Sequence, residues 1–130
     1  MPAASPEARE YAELLLRHAR SDLRAMKVLA PDVTMEDDVV GFHAQQAVEK
    51  ALKAAVVAVG EEHRSGHDLD VIVRRLEAAG LEVPPAVVGC GWLTLWAVEH
   101  RYGEGTTGLD RERALATAEA ALEWSMSVLR

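Results

Sequence analysis

Apolar residues recur at intervals of three and four along nearly the whole chain, and nowhere do β-branched or aromatic residues alternate with polar ones over a useful length. A half-buried strand needs a two-residue alternation and an amphipathic helix needs the three-to-four spacing, so the pattern selects helices. In the first segment, residues 6–30, Ala8, Ala12, Leu15, Ala19, Leu23 and Met26 form one stripe. Ser5 stands at the N-cap, Pro6 fits the first helical position because no backbone N–H is needed there, and Pro31 stops the run. A polar connection over 32–38 leads to a second segment, residues 38–60, rich in alanine and ended by Gly60. A third, at 68–80, has Asp68 as cap, Val71, Ile72 and Leu76 facing inward, and Gly80 as stop. Pro84 and Pro85 open a fourth helix running to Tyr102, interrupted by Gly89-Cys90-Gly91, which permits close approach of a helix or subunit. After the loop-like stretch 103–108, the last helix carries Leu115, Ala118, Ala121, Leu122, Ser125 and Leu129 on one side.

These segments predict an all-α fold, an up-and-down bundle of four long helices plus one short helix, filling all 130 residues as a single domain. The net charge of −7 and 5% aromatic content argue against a general DNA binder, whose footprint would be basic. The single cysteine, Cys90, excludes an internal disulfide and a Cys-cluster zinc site. His63 and His67 stand at i,i+4 but fall short of the three ligands a zinc site wants, so neither metal nor cofactor is expected. The first residues lack the basic start and apolar run of a secretory signal, and no stretch approaches the ~18 apolar residues of a membrane span. A soluble, cytoplasmic domain is the expectation.

The second helix carries the most chemistry. Turned at ~100° per residue, it gathers Val40, Ala44, Ala47, Val48, Ala51, Leu52, Ala55 and Val59 on one broad face, mostly small residues that let a neighbour approach closely. The remaining face holds His43, Gln46, Glu49, Lys50 and Lys53, with Phe42 and Val57 among them. His43, Gln46 and Lys50 form one ridge, and Glu49 with Lys53 makes a favourable i,i+4 pair. Two readings stand side by side. The face is either a solvated helix surface or a site where His43, Gln46, Lys50 and Lys53 hold an anionic ligand, a nucleotide phosphate or RNA backbone.

Other candidates carry the same ambiguity. Arg101 and Tyr102 can supply a guanidinium and a stacking ring, although an arginine near a helix C-terminus is favourable in any case. His67-Asp68 reads first as a helix start with an aspartate cap. Arg17, Arg20, Arg24 and Lys27, at i, i+3, i+7 and i+10, form a basic ridge opposite the apolar stripe of the first helix, a surface for RNA or an acidic partner. Cys90 has no adjacent basic residue to activate it as a nucleophile.

The run Phe42-His43-Ala44-Gln45-Gln46-Ala47-Val48-Glu49-Lys50-Ala51-Leu52-Lys53-Ala54 resembles the signature helix of HEPN domains. Ser21-Asp22-Leu23-Arg24-Ala25 resembles the family's first-helix DLxxA element, and His67-Asp68-Leu69 the HDL that opens its short third helix. Trp96-Ala97-Val98-Glu99-His100-Arg101-Tyr102 resembles its YAVEARYP segment, with Trp96 in place of Tyr and Gly103 in place of Pro. The elements stand in the family's order. The resemblance implies a helical bundle that pairs as a homodimer, encoded in prokaryotes beside a minimal nucleotidyltransferase, some such pairs being toxin–antitoxin systems. It also implies nucleotide or RNA binding.

Several lineages of that family are metal-independent ribonucleases using an Arg-x4–6-His motif. This sequence lacks it: no histidine follows Arg101, only two residues separate Arg64 from His67, and no arginine precedes His43, His63 or His100 at the required distance. The favoured expectation is therefore a binding module acting with a nucleotidyltransferase. The alternative is a ribonuclease toxin with a variant site built from His43, or from His100 with Arg101.

Overall fold

A computed structural model of the chain describes residues 4–62, 66–97 and 108–130. The described residues are all helical or irregular: α1 (Pro6–Leu29), α2 (Asp37–Ala58), α3 (Leu69–Ala78), α4 (Pro85–Val88), a 3₁₀ helix (Gly89–Ala97) and α5 (Arg111–Leu129). His63, Arg64, His100, Arg101 and Tyr102 lie outside the described residues, as do the end of the expected fourth helix and most of the 103–108 loop.

The helix starts follow the local chemistry of the sequence. The Ser5 hydroxyl accepts the Ala8 N–H at 3.0 Å, Asp68 accepts from Asp70 at 3.0 Å, and Asp110 accepts from Arg113 at 3.0 Å. The stops at Gly60 and Gly80 work by backbone freedom. Both glycines take positive φ (81° and 92°), and the next N–H reaches back five residues, Glu61 to the Val56 carbonyl and Leu81 to that of Leu76.

α2 is the central rod. It packs most extensively on α1, then on α5, with the 3₁₀ helix and α3 completing its surround. Ala44, Ala47, Ala51, Ala54 and Ala55 are fully buried, and these short side chains let the neighbouring axes close in. The expected two-faced character of α2 is corrected by this position. Val57 and Glu49 are buried, Phe42 is half-buried, and none of the residues assigned to its polar face is fully exposed. A helix packed against four elements keeps only a narrow, partly shielded polar strip, here His43, Gln46, Lys50 and Lys53.

Smaller corrections have similar causes. On α1, Leu16 rather than Leu15 enters the core, giving Ala12, Leu16, Ala19, Leu23 and Met26. On α3, Val73 is buried and Val71 is exposed, because Leu69, Ile72, Val73 and Leu76 form the i, i+3, i+4, i+7 face.

The fourth rod departs most from expectation. Only one α-turn forms before the backbone tightens to 3₁₀ geometry, and the buried residues Val87, Cys90, Leu93 and Trp96 show why. They recur every three residues, which places them on one face only at three residues per turn. Gly91 takes part directly: a Cβ there would collide with the Asp70 carboxylate, so the expected close approach at Gly89-Cys90-Gly91 is made at Gly91 against α3. Thr94 Oγ1 also accepts the first amide of α3, from Leu69, at 3.1 Å. On α2, Gly41 leaves room for the Trp96 ring, whose Cε3 would lie 2.5 Å from a Cβ.

The far end of the bundle is tied by Arg111. Its guanidinium donates to Asp37 Oδ1 through Nε and Nη2 (3.1 and 3.0 Å) and to the carbonyls of Ala30, Asp32 and Met35 at 2.9, 3.0 and 2.6 Å. The other Asp37 oxygen accepts the N–H groups of Gly108 and Leu109. One side chain thus fixes the α1–α2 connection to the start of α5.

Candidate functional site

The polar residues of α2 are joined by a carboxylate from α1 and one of their own. Asp22, two-thirds along α1, sits where α1 crosses the His43–Lys50 ridge. His43 Nδ1 lies 3.0 Å from Asp22 Oδ1, and Lys50 Nζ donates to Asp22 Oδ2 at 2.6 Å. Asp22 is 13% exposed, against 28% for His43 and 27% for Lys50, so the pair is shielded but reachable. With its proton held at Nδ1 toward the carboxylate, a neutral His43 presents Nε2 as an acceptor.

A second cluster surrounds Glu49. Lys53 Nζ donates to Glu49 Oε2 at 2.9 Å, Gln45 Nε2 donates to Oε1 at 2.8 Å, and His67 Nδ1 lies 2.7 Å from Oε1. Gln46 donates through Nε2 to Gln45 Oε1 at 2.7 Å, extending the chain of hydrogen bonds to the candidate ridge. Burial pushes the Glu49 carboxyl upward, but hydrogen bonds from Lys53, Gln45 and His67 outweigh it and hold the group below the ordinary glutamate range. Glu49 is therefore a carboxylate at neutral pH, and Lys53 is its counter-ion.

The structure thus brings His43 and Lys50 together on Asp22, and gathers Gln46 and Lys53 with His67 and Gln45 around Glu49. Each of the two lysines already faces a carboxylate. Asp22, Gln45 and the burial of Glu49 were missed in the sequence. A signal existed for one of them: Asp22 belongs to the run that resembles the family's DLxxA element. Arg111 was missed as well, because nothing local distinguishes it from any arginine in a first helical turn.

A family model for the HEPN domain matches residues 12–129. The chain belongs to the HEPN family. No curated protein and no solved structure matches it.

On the outer surface of this HEPN domain, Arg17, Arg20, Arg24 and Lys27 are all exposed. Lys27 lies 3.5 Å from Glu119, both half-exposed, whereas Arg17, Arg20 and Arg24 enter no ion pair among the described residues. Surface arginines free of carboxylates keep their full charge for an external anion.

Burial and the nearby Asp70 charge push the Cys90 thiol up to about 12, so it stays protonated and is no nucleophile. Among the described residues, no group of three or more His, Cys, Asp or Glu is placed to hold a metal ion, and no helix is long and apolar enough to cross a membrane.

Proposed function

We propose that this HEPN domain is a nucleotide- or RNA-binding module that acts with a cognate minimal nucleotidyltransferase, as one half of a toxin–antitoxin-like pair, without chemistry of its own. The observation that carries the reading is the contrast between two cationic surfaces. Lys50 and Lys53 of α2 are matched by Asp22 and Glu49, while Arg17, Arg20 and Arg24 of α1 are exposed and unmatched. The ridge from Arg17 to Lys27 spans ten residues, about 15 Å of helix, enough for several backbone phosphates. On α2, His43 and Gln46 supply acceptor atoms for the polar edge of a base or ribose, beside lysines whose charge is already balanced. Arg101 and Tyr102, outside the described residues, stay in the proposal from the sequence alone. Homodimer formation and the nucleotidyltransferase partner rest on the family resemblance, with the absent Arg-x4–6-His motif favouring binding over cleavage.

The test is a titration of short single-stranded RNA against the protein over a range of salt concentrations. Log affinity should fall with log salt by roughly 0.7 for each phosphate neutralised, or by about 3 if all four ridge cations take part. Each of Arg17→Gln, Arg20→Gln and Arg24→Gln should reduce that slope. Affinity that ignores salt and these substitutions refutes the reading. Light scattering at the mass of one chain would remove the homodimer.

A second reading, a ribonuclease with a variant site, is favoured by one observation: Asp22 holds the His43 ring in the orientation a general base requires. RNA cleavage abolished by His43→Ala but retained by Lys27→Gln would establish it.

A further inference from the structure

Beside the N-terminal half of α1, where the end of α5 crosses it, lies a groove of about 430 Å³. Leu16 and Leu129, both nearly buried, form its recessed part together with the half-buried Met126. Its edges are polar and cationic, with Arg17 and Arg20 from α1 and Arg130 after α5 all exposed. Arg9 and Glu13 close the remaining side. Arg9 pairs with Glu13 and donates to the Leu129 carbonyl, so these two are engaged with one another and with the helix end.

We infer that this groove receives a terminal nucleotide, a nucleoside bearing a phosphomonoester, with the base on the Leu16–Met126–Leu129 surface and the phosphate between the guanidinium groups of Arg17, Arg20 and Arg130. The inference rests on the proposed RNA-binding surface and places the end of the strand on it. Arg17 and Arg20 belong to both features: they are the last cations of the α1 ridge and the first of the groove. Beyond them along α1 come Glu13 and Arg9, which pair with one another, so the run of unpaired cations ends here. A polyanion following the ridge thus stops here.

The shape and chemistry fit one nucleotide. The volume falls within the range of about 300–1,000 Å³ typical of small-molecule sites, with three apolar side chains in the recess and five charged ones around it. A planar, two-pronged guanidinium matches phosphate oxygens bidentately, and a phosphomonoester carries ~1.5–2 negative charges against the single charge of an internal diester. Three exposed arginines against one already paired glutamate therefore favour a strand end over a strand middle.

Four probes test this by fluorescence or calorimetric titration of the full chain: an eight-nucleotide RNA with a 5′-phosphate, the same RNA with a 3′-phosphate, the unphosphorylated RNA, and AMP. One of the phosphorylated RNAs should bind roughly tenfold more tightly than the unphosphorylated one. Arg130→Gln, which lies in the groove and off the ridge, should erase that preference. Arg24→Gln and Lys27→Gln, on the ridge and outside the groove, should weaken all three RNAs alike and keep it. AMP binding as tightly as the best RNA, and lost in Arg130→Gln, identifies a free nucleotide as the source of the same chemistry.

Equal affinity for all three RNAs together with no AMP binding overturns the inference while leaving the RNA-binding surface standing. AMP binding without any RNA binding does the reverse: the groove stands and the proposed RNA module falls. A phosphate preference untouched by Arg130→Gln also overturns it, because the phosphate would then sit elsewhere. Arg130 is exposed and its replacement leaves the core intact, so a failure to fold does not confuse the outcome.

Discussion

Replacing Arg111 with alanine should be among the most damaging single changes in this protein. The guanidinium makes five hydrogen bonds, two to Asp37 and three to the carbonyls of Ala30, Asp32 and Met35. The Arg111 and Asp37 side chains are 21% and 22% exposed, so water reaches the pair only in part. A typical hydrogen bond contributes a net ~0.5–1.5 kcal/mol, more when charged, which would give about 2.5–7.5 kcal/mol if the five were independent. They are not independent, and water can replace the guanidinium at the exposed Asp32 carbonyl, so a loss of about 3 kcal/mol is expected. For a domain of 130 residues with an unfolding entropy of ~2.1 cal/mol/K per residue, that corresponds to a fall in Tm of about 11 °C. Arg111→Lys keeps the charge but lacks the planar fork, and should recover less than half.

Urea melts followed by circular dichroism would measure it, with the midpoint moving and the slope unchanged. The pH dependence adds an independent check. Burial pushes the Asp37 carboxyl upward, but Arg111 and the amides of Leu109 and Gly108 outweigh it, so its folded value lies below the ordinary range. A depressed carboxyl contributes stability above its unfolded pKa of ~3.9 and loses it as pH falls through the folded value. The gap between wild type and Arg111→Ala should therefore be full at neutral pH and narrow progressively below pH ~4. A loss under about 1 kcal/mol, or a gap that does not change with acid, refutes the clamp.

Gly41→Ala should destabilise by about 1–2 kcal/mol, since the added carbon meets the Trp96 ring and the overlap exceeds the ~1 kcal/mol gained in helix propensity; a neutral or raised Tm would contradict it. Asp22→Asn should release Lys50 from its carboxylate and strengthen RNA binding several-fold at low salt, and unchanged affinity would remove α2 from the binding surface. Cys90 should resist a thiol reagent at pH 8 in the native state and react at once in denaturant, because a buried thiol raised to about 12 holds almost no thiolate; rapid native labelling would show the 3₁₀ helix opening readily.

How much of the fold could be read in advance depended on how local its cause was. Ser5 and Asp68 cap because a short oxygen-bearing side chain reaches amides within its own turn, and Gly60 and Gly80 stop helices because only glycine takes positive φ freely. The alanine-rich α2 and the family's signature run were equally plain. The 3₁₀ helix was legible only in hindsight: Val87, Cys90, Leu93 and Trp96 recur at three, and over so short a run that period is easily taken for one of 3.6.

The polar residues of α2 were visible as a set, yet what they meet was not. Lys50 and Asp22 are separated by 28 residues, and Arg111 and Asp37 by 74. The sequence alone determined that the described residues are helical, where α1, α2 and α3 begin and end to within two residues, and which side chains on α2 carry charge. Tertiary packing alone decided that α2 would be enclosed, that Asp22 and Glu49 would neutralise its lysines, and that the unbalanced positive charge would appear on α1. Backbone conformation responds to neighbours within a turn, whereas the fate of a charge depends on which distant group is folded against it.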